Sequence, residues 1–102
     1  EVIDRVIGLG LEPFTESTIT SGPALLAELE RTRKRGYALD QGEHQPGLLC
    51  IGAPIRDESE RIFASISVSG PAWNIPIEKA DELSKIVVHN ANQISHRLGA
   101  SV

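Results

Sequence analysis

Residues 47–71 read GLLCIGAPIRDESERIFASISVSGP, and this stretch decides the fold. Two runs of alternating residues, at about 48–55 and 61–69, flank a short polar segment. Such alternation around a polar turn predicts an antiparallel β-hairpin whose successive side chains point to opposite faces. One face is aliphatic. The other is small and polar, and its defining residues are Cys50, Ser65, Ser67 and Ser69.

A turn centred on Glu58-Ser59 predicts the register of this hairpin, because it keeps all small polar groups on one face. The opposed pairs on that face are then Cys50 with Ser67, Gly52 with Ser65, and Leu48 with Ser69. Small side chains leave room above the face, and hydroxyl groups both donate and accept hydrogen bonds. The face is therefore either the floor of a small-molecule pocket or a serine-rich surface exposed to water.

The rest of the chain predicts helices and one more short strand. We expect a helix over 1–8, a helix over 22–35 capped by Thr20 or Ser21 and ended by Gly36, a strand at 37–39, and a polar loop at 40–47. A last helix is predicted from Pro76 to about Leu98. This order around a sequential hairpin predicts an α+β fold with an antiparallel sheet flanked by helices.

Apolar residues at spacings of three and four predict which helix faces are buried. For the helix over 22–35 the predicted stripe is Leu25, Leu26 and Leu29. For the last helix it is Ala80, Leu83, Val87, Ala91, Ile94 and Leu98, facing the aliphatic side of the hairpin. Three strands make a thin sheet, and the chain starts in a helix without a methionine. We therefore expect the back part of a larger domain.

Composition restricts the class of protein. The chain has 102 residues, a net charge of −4 and 40% hydrophobic residues, as expected of one small globular domain. An acidic chain is a poor nucleic-acid surface. Its basic cluster, Arg31, Arg33, Lys34 and Arg35, ends a predicted helix, where cations complement the helix dipole. One cysteine, no long apolar run and no visible signal peptide lead us to expect a cytoplasmic protein without membrane contact.

An ordered set of short motifs resembles the IclR family of bacterial transcriptional regulators. The matching residues are Gly36-Tyr37-Ala38-Leu39-Asp40, Glu43, Pro46-Gly47, Cys50, Ala53-Pro54-Ile55, Asp57, Ile66-Ser67-Val68-Ser69-Gly70-Pro71 and the tail ANQISHRLG at 91–99. The resemblance implies a GAF-like, profilin-like effector-binding domain, present as its C-terminal portion over 1–102. It also implies a dimer or tetramer that binds operator DNA through a winged helix-turn-helix domain absent from this chain, most often as a repressor of a catabolic operon.

The resemblance also assigns ligand-binding positions one by one. Asp40 matches an acidic pocket position, Cys50 the pocket cysteine, and Ser67 and Ser69 a pair of serines that hold the ligand. The ligand implied is a small organic acid or sugar acid, and no cofactor, metal or catalytic residue is implied. We expect its carboxylate at Ser67 and Ser69 and its hydroxylated end near Asp40, since an ionised Asp accepts hydrogen bonds only. Segments 13–15 and 18–20 look similar to the branch that regulates sugar-acid catabolism, such as the 2-keto-3-deoxygluconate regulator.

Three other functions stay open at the level of sequence. Cys50, His44 and Asp40 are the residue types of a thiol enzyme, although a cysteine in mid-strand has no evident group to lower its pKa. Glu43, His44 and Cys50 match no compact zinc motif, and His89 and His96 are expected at the surface. The chain could also be a ligand-free oligomerisation module. We expect Trp73 to cover the end of the sheet, whereas an exposed ring would suggest subunit contact.

Overall fold

The computed structural model describes residues 2–101 of the chain. Over that range the chain folds into three α-helices, one short 3-10 helix and a three-stranded antiparallel sheet in the order β1–β2–β3. The α+β prediction is therefore confirmed, whereas residue 1 of the first predicted helix lies outside the described residues. The elements are α1 (Val2–Leu9), α2 (Gly22–Arg35), β1 (Ala38–Gln41), β2 (Leu48–Arg56), β3 (Ile62–Pro71), the 3-10 helix Ile77–Lys79 and α3 (Ala80–Arg97).

The core lies between one face of the sheet and α3. Every second residue of β2 is buried, and these residues are Leu49, Ile51, Ala53 and Ile55. They form one cluster with buried residues of α3, among them Val87 and Ala91. The predicted aliphatic face of the hairpin thus packs against the last helix, as expected, and the small polar face is turned away from it.

The predicted register of the hairpin is wrong by two residues. Cys50 lies opposite Ser69 and Gly52 opposite Ser67, whereas Ser65 faces Pro54. Two local features add one residue each: the turn is centred on Ser59, and a β-bulge follows, with Phe63 as the extra residue between the paired Ile62 and Ala64. Because side chains alternate with a period of two, this slip of two residues leaves the side chains from Ala64 to the end of β3 on their predicted faces. Ile62 is the exception: it precedes the bulge, lies opposite Arg56 and is on the open face, not on the aliphatic face where it was expected.

Asp57 organises the turn that shifts the register. Its backbone amide donates to the carbonyl of Arg61 at 2.9 Å, and its Oδ1 accepts from the amides of Ser59 and Arg61. Glu60 takes the left-handed conformation that the turn requires, with φ of 63°. Because the Asp57 side chain binds the backbone of its own turn, this turn is favoured over the simple two-residue turn that the sequence suggests.

Helix α3 buries only part of the predicted stripe. Ala80, Val87 and Ala91 are buried as predicted, and the other buried residues are Ser84 and Ser95. The predicted Leu83 is only half-buried, while Ile94 and Leu98 are 38% and 41% exposed. The reason lies at Ser95, whose hydroxyl accepts from the Arg56 amide at 2.9 Å beside the bulge and therefore must face the sheet. The helix proper also starts later than Pro76, after the 3-10 turn.

The caps of α2 are as predicted, but its packing is not. Ser21 caps the helix by accepting from the Ala24 amide, and Gly36 ends it with φ of 86°. No residue of α2 is buried, and Leu26 and Leu29 are exposed. Of the predicted leucine stripe only Leu25 is half-buried, since α3 already covers the core face of the sheet. The first turn of α2 instead contacts Ile7 of α1.

The basic cluster at the end of α2 has structural partners. Arg31 and Arg35 both donate to the carboxylate of Glu28 at 2.9 Å. Arg35 lies 5.1 Å from the centroid of the Tyr37 ring. The hydrogen bond from Arg35 is the main cause that holds the pKa of Glu28 below its usual value. These contacts agree with the prediction that the basic cluster has a structural role at the end of the helix.

Trp73 does not cover the end of the sheet, which corrects the expectation from the sequence. Its side chain is 84% exposed, in the turn that follows β3. That turn is closed by backbone hydrogen bonds from Asn74 and Ile75 to the carbonyl of Pro71. These bonds hold the turn without the indole, which leaves the ring in solvent.

Candidate functional site

Three of the four predicted site residues form a single row across the sheet. Asp40 of β1 lies opposite Cys50 of β2, and Cys50 lies opposite Ser69 of β3. Directly opposed residues of antiparallel strands point to the same face, so the three side chains share the face that α3 leaves open. Asp40 was expected in the loop after the strand, but it belongs to β1 itself. Its place in the pairing is what completes the row.

Ser67 lies on the same face in the neighbouring row. It faces Gly52, which in turn faces Ala38. A methyl group at Gly52 would be 3.7 Å from the Ser67 Cβ, an ordinary contact distance. The residues of this row, Ala38, Gly52 and Ser67, all have small side chains, so no bulky side chain lies beside Ser67. With strands about 4.8 Å apart, the row from Asp40 to Ser69 spans roughly 10 Å.

This polar face is open in the described part of the chain. Asp40 and Cys50 are half-buried, whereas Ser67 and Ser69 are exposed. Two cavities lie elsewhere, and none of the four residues lines them. A cavity of about 230 Å³ lies at one end of the sheet, beside Leu49 and Ile75. A groove of about 450 Å³ runs between Tyr37 and the outer side of α3. The face is thus a floor without an opposing wall.

The charge on this face is negative around Asp40. The segments 38–41, 48–54 and 65–71 contain no Lys or Arg, and Arg56 lies at the far end of β2, where its guanidinium donates to the Glu60 carbonyl. Close by, burial raises the pKa of Glu43, and the carboxylates of Asp40 and Glu28 raise it further. An anionic ligand on this face would therefore be held by hydroxyl groups, at the end away from Asp40.

The loop after β1 holds the Asp40 carboxylate. The backbone amide of Glu43 donates to Asp40 Oδ1 at 2.9 Å. The chain turns back through Gly42, which has φ of 77° and is buried. An aspartate that accepts from a backbone amide three residues later is a common turn device, and the sequence Asp-Gln-Gly-Glu contains its signal. That contact was not among the predictions from the sequence.

A second segment secures this loop, and the sequence analysis missed it. Thr15 Oγ1 donates to the carbonyl of Gly42 at 2.5 Å, and Thr18 Oγ1 donates to the carbonyl of Glu43. Both threonines come from the connector between α1 and α2. Contacts between residues 25 and 27 positions apart cannot be derived from periodicity, because neither partner lies in a helix or strand.

The residues of the alternative chemistries are arranged less favourably. His44 packs its ring against Phe14, with centroids 4.8 Å apart, in the exposed loop. Cys50 lies in the middle of β2. Residues 2–101 contain no group of three or more His, Cys, Asp or Glu side chains placed to hold a metal ion. Among these residues, none of the helices has the length and apolar character needed to cross a membrane.

Comparisons with known proteins agree on one family. The family model of the bacterial transcriptional regulator IclR C-terminal region matches residues 1–96. The HTH-type transcriptional repressor AllR of Salmonella typhi is 39% identical over 99 residues, which are 97% of this chain and 36% of that protein. The chain thus spans little more than a third of the length of such curated relatives, which are transcriptional regulators.

Solved structures give the same result for the fold. The C-terminal domain of the E. coli transcriptional regulator KdgR has a TM-score of 0.85 at 34% identity, over 96% of this chain and 60% of that one. The Thermotoga maritima IclR has a TM-score of 0.82 at 42% identity, over 88% of this chain and 36% of that one. The family resemblance in the sequence is confirmed: this chain belongs to the IclR C-terminal family of bacterial transcriptional regulators.

Proposed function

We propose that this chain is the C-terminal portion of the effector-sensing domain of a cytoplasmic transcriptional repressor. A winged helix-turn-helix domain outside this chain would bind operator DNA, and the regulator would work as a dimer or tetramer. The repressor AllR of Salmonella typhi and the regulator KdgR of E. coli support this assignment through their identity to the chain. The exposed Trp73 is a suitable residue for a subunit contact, since aromatic rings are enriched at interfaces.

The observation that carries the proposal is the row formed by Asp40, Cys50 and Ser69, with Ser67 beside it. These residues would form the floor of the effector site. The effector would be a small keto acid, hydroxy acid or sugar acid. Its carboxylate would accept hydrogen bonds from Ser67 and Ser69, and a hydroxyl group would donate to Asp40. The sugar-acid branch of the family is the narrower form of this proposal.

Calorimetry and thermal shift with a panel of small acids test the proposal. Pyruvate, glyoxylate, gluconate and glycerate cover the keto, hydroxy and sugar acids. An acid present at a hundred times its Kd stabilises the fold by about 2.7 kcal/mol. Ser67→Ala, Ser69→Ala and Asp40→Asn should each weaken binding by at least about tenfold, since a hydrogen bond to a charged group contributes about 1.5–3 kcal/mol.

Ser65→Ala is the matched control. Ser65 lies on the same face of the same strand but opposite Pro54, outside the predicted site. We expect this variant to bind the responding acid as tightly as the parent chain. The proposal fails if no acid in the panel binds, or if Ser65→Ala weakens binding as much as Ser67→Ala does.

We further propose that Cys50 is a contact residue and not a nucleophile. It lies within β2, and the charged side chain in its row is the carboxylate of Asp40, so the row holds no cation of the kind that accompanies a catalytic thiol. Iodoacetamide at neutral pH should label Cys50 no faster than it labels an unactivated thiol such as glutathione. Rapid, selective labelling would instead revive the thiol-enzyme alternative.

A further inference from the structure

The connector between α1 and α2 contains a small hydrogen-bonded turn at residues 14–18. Thr18 Oγ1 accepts from the backbone amides of Phe14 and Thr15, at 3.1 and 2.9 Å. Thr15 Oγ1 accepts from the amide of Ser17 at 3.0 Å. Both hydroxyls therefore have their positions fixed by the backbone of their own turn, and each has one hydrogen left to donate outwards.

Both outward hydrogen bonds go to the loop that follows Asp40. Thr15 donates to the Gly42 carbonyl and Thr18 donates to the Glu43 carbonyl. Next to them the Phe14 ring contacts the His44 ring. Three consecutive loop residues are thus held by one segment that is distant in sequence. We call Thr15 and Thr18 the threonine clamp.

The clamped loop supplies the hydrogen bond that orients Asp40. The amide of Glu43, the residue whose carbonyl Thr18 holds, donates to Asp40 Oδ1 at 2.9 Å. An aspartate carboxylate has two oxygens, so this bond leaves Oδ2 as the acceptor for another partner. Without the clamp, this loop would keep its local contacts and the contact between the Phe14 and His44 rings, but would lose both threonine hydrogen bonds.

We propose that Thr15 and Thr18 are positioning residues for the effector site, which hold Asp40 in its binding orientation through the backbone of Glu43. The proposal rests on the proposed function for its consequence in ligand binding, but its structural part stands alone. Holding one carboxylate in a fixed orientation reduces the entropy lost when a ligand hydroxyl binds to it. The clamp would therefore raise affinity without touching the ligand.

The burial around Glu43 gives the clamp a second effect. Burial raises the pKa of the Glu43 carboxyl group, and the charges of Asp40 and Glu28 raise it further. Repulsion between Asp40 and Glu43 would push the loop away from β1. The two threonine hydrogen bonds oppose that displacement, because they hold the consecutive backbone carbonyls of Gly42 and Glu43.

The first test needs no ligand. In the whole chain, NMR couplings across the Asp40 side chain report whether it occupies one rotamer, and hydrogen exchange reports protection of the Glu43 amide. Thr18→Val removes the donor at nearly constant size, and Thr18→Ser keeps it. We expect Thr18→Val to average the Asp40 rotamers and to speed Glu43 exchange by about tenfold, which one lost hydrogen bond predicts. Thr18→Ser should restore both, and Thr15→Val should act like Thr18→Val.

Thr20→Val is the control, because Thr20 is an exposed residue of the same connector and should leave both measurements unchanged. The ligand arm titrates pyruvate, glyoxylate and gluconate. In the parent chain, Thr18→Val should lower several-fold the affinity for an acid that binds. In the Asp40→Asn background, the same substitution should leave the affinity unchanged. Unchanged Asp40 couplings in Thr18→Val would overturn the clamp. Failure of all three acids to bind would count against the proposed function only, since the couplings would still decide the clamp.

Discussion

Ser95 of α3 binds the backbone of Arg56 at the end of β2. Its hydroxyl accepts from the Arg56 amide at 2.9 Å and donates to the Ala91 carbonyl at 2.8 Å. The side chain is 1% exposed, and the contact lies at the β-bulge that sets the hairpin register. A buried hydroxyl with both hydrogen-bonding roles filled therefore joins the helix to the sheet at the point where the strand pairing becomes irregular.

We predict that Ser95→Ala lowers the free energy of unfolding by about 1–3 kcal/mol, because it leaves the Arg56 amide without its partner. Ser84→Ala is the matched control. Ser84 is equally buried in the same helix, but its hydroxyl only donates back to the Asp81 carbonyl. Such back-bonding contributes little to helix stability, so the control should lie within about 0.5 kcal/mol of the parent. Urea denaturation measures both, and equal losses would contradict the role of Ser95.

A second prediction concerns Gly99, where the chain passes the tip of the hairpin. Gly99 has φ of +100°, and an added Cβ would lie 2.8 Å from the Cβ of Glu58. Gly36 has a similar φ of +86° with open space around it. Alanine at either position costs roughly 1–2 kcal/mol of backbone strain. Only Gly99→Ala also adds a steric clash, so its free energy of unfolding should fall by at least about 1 kcal/mol more than that of Gly36→Ala. Thermal unfolding of the two variants measures the difference, and equal shifts in Tm would rule out the contact.

A third prediction follows from the raised pKa of Glu43. A carboxyl group whose pKa is higher in the folded state opposes folding once the pH rises through that pKa, and has no such effect below the unfolded pKa of about 4.3. Glu43→Gln should therefore be more stable than the parent at pH 7, and the two should converge below about pH 4. Denaturation across this pH range is the measurement. If Glu43→Gln is less stable than the parent at pH 7, other contacts of the Glu43 side chain stabilise the fold by more than the repulsion from Asp40 destabilises it.

The lowered pKa of Glu28 predicts the opposite sign. Its carboxylate is stabilised in the folded state mainly by Arg35, then by Arg31. That stability is present above the unfolded pKa and is lost as the pH falls through the folded pKa. Glu28→Gln should cost about 0–1 kcal/mol at pH 7, as is typical of partly exposed pairs, and nothing at low pH. Asp81→Asn is the control, because the Asp81–Lys85 pair is 3.9 Å apart and exposed on both sides.

The alternation of residues in the hairpin predicted which side chains share a face, but not which residues are opposed. Face membership depends only on parity along the strand, which the sequence shows directly. The opposed pairs depend on turn length and bulge position. Asp57 holds the turn through local hydrogen bonds, and Phe63 is the extra residue of the bulge. The predicted group of Cys50, Ser67 and Ser69 therefore survived a register error of two residues. An error of one residue would have divided it.

Helix packing was harder to predict than helix existence. The capping residues Ser21 and Gly36 are local signals, and both ends of α2 follow from them. Which face a helix buries depends on the surface that it meets, and one helix, α3, occupies the core side of the sheet. The Thr18–Glu43 contact was not predictable either, because it joins two irregular segments whose approach depends on the whole fold.

The separation of the two sheet faces has an evolutionary consequence. Leu49, Ile51 and the other buried residues of β2 alternate with residues of the open face, among them Cys50 of the proposed effector floor, so this strand carries both sets in turn. Substitutions on the open face do not touch the packed one. Under the proposed function, a lineage could therefore exchange one effector for another by changing Cys50, Ser67 or Ser69, while the folding free energy supplied by the opposite face would be inherited almost unchanged.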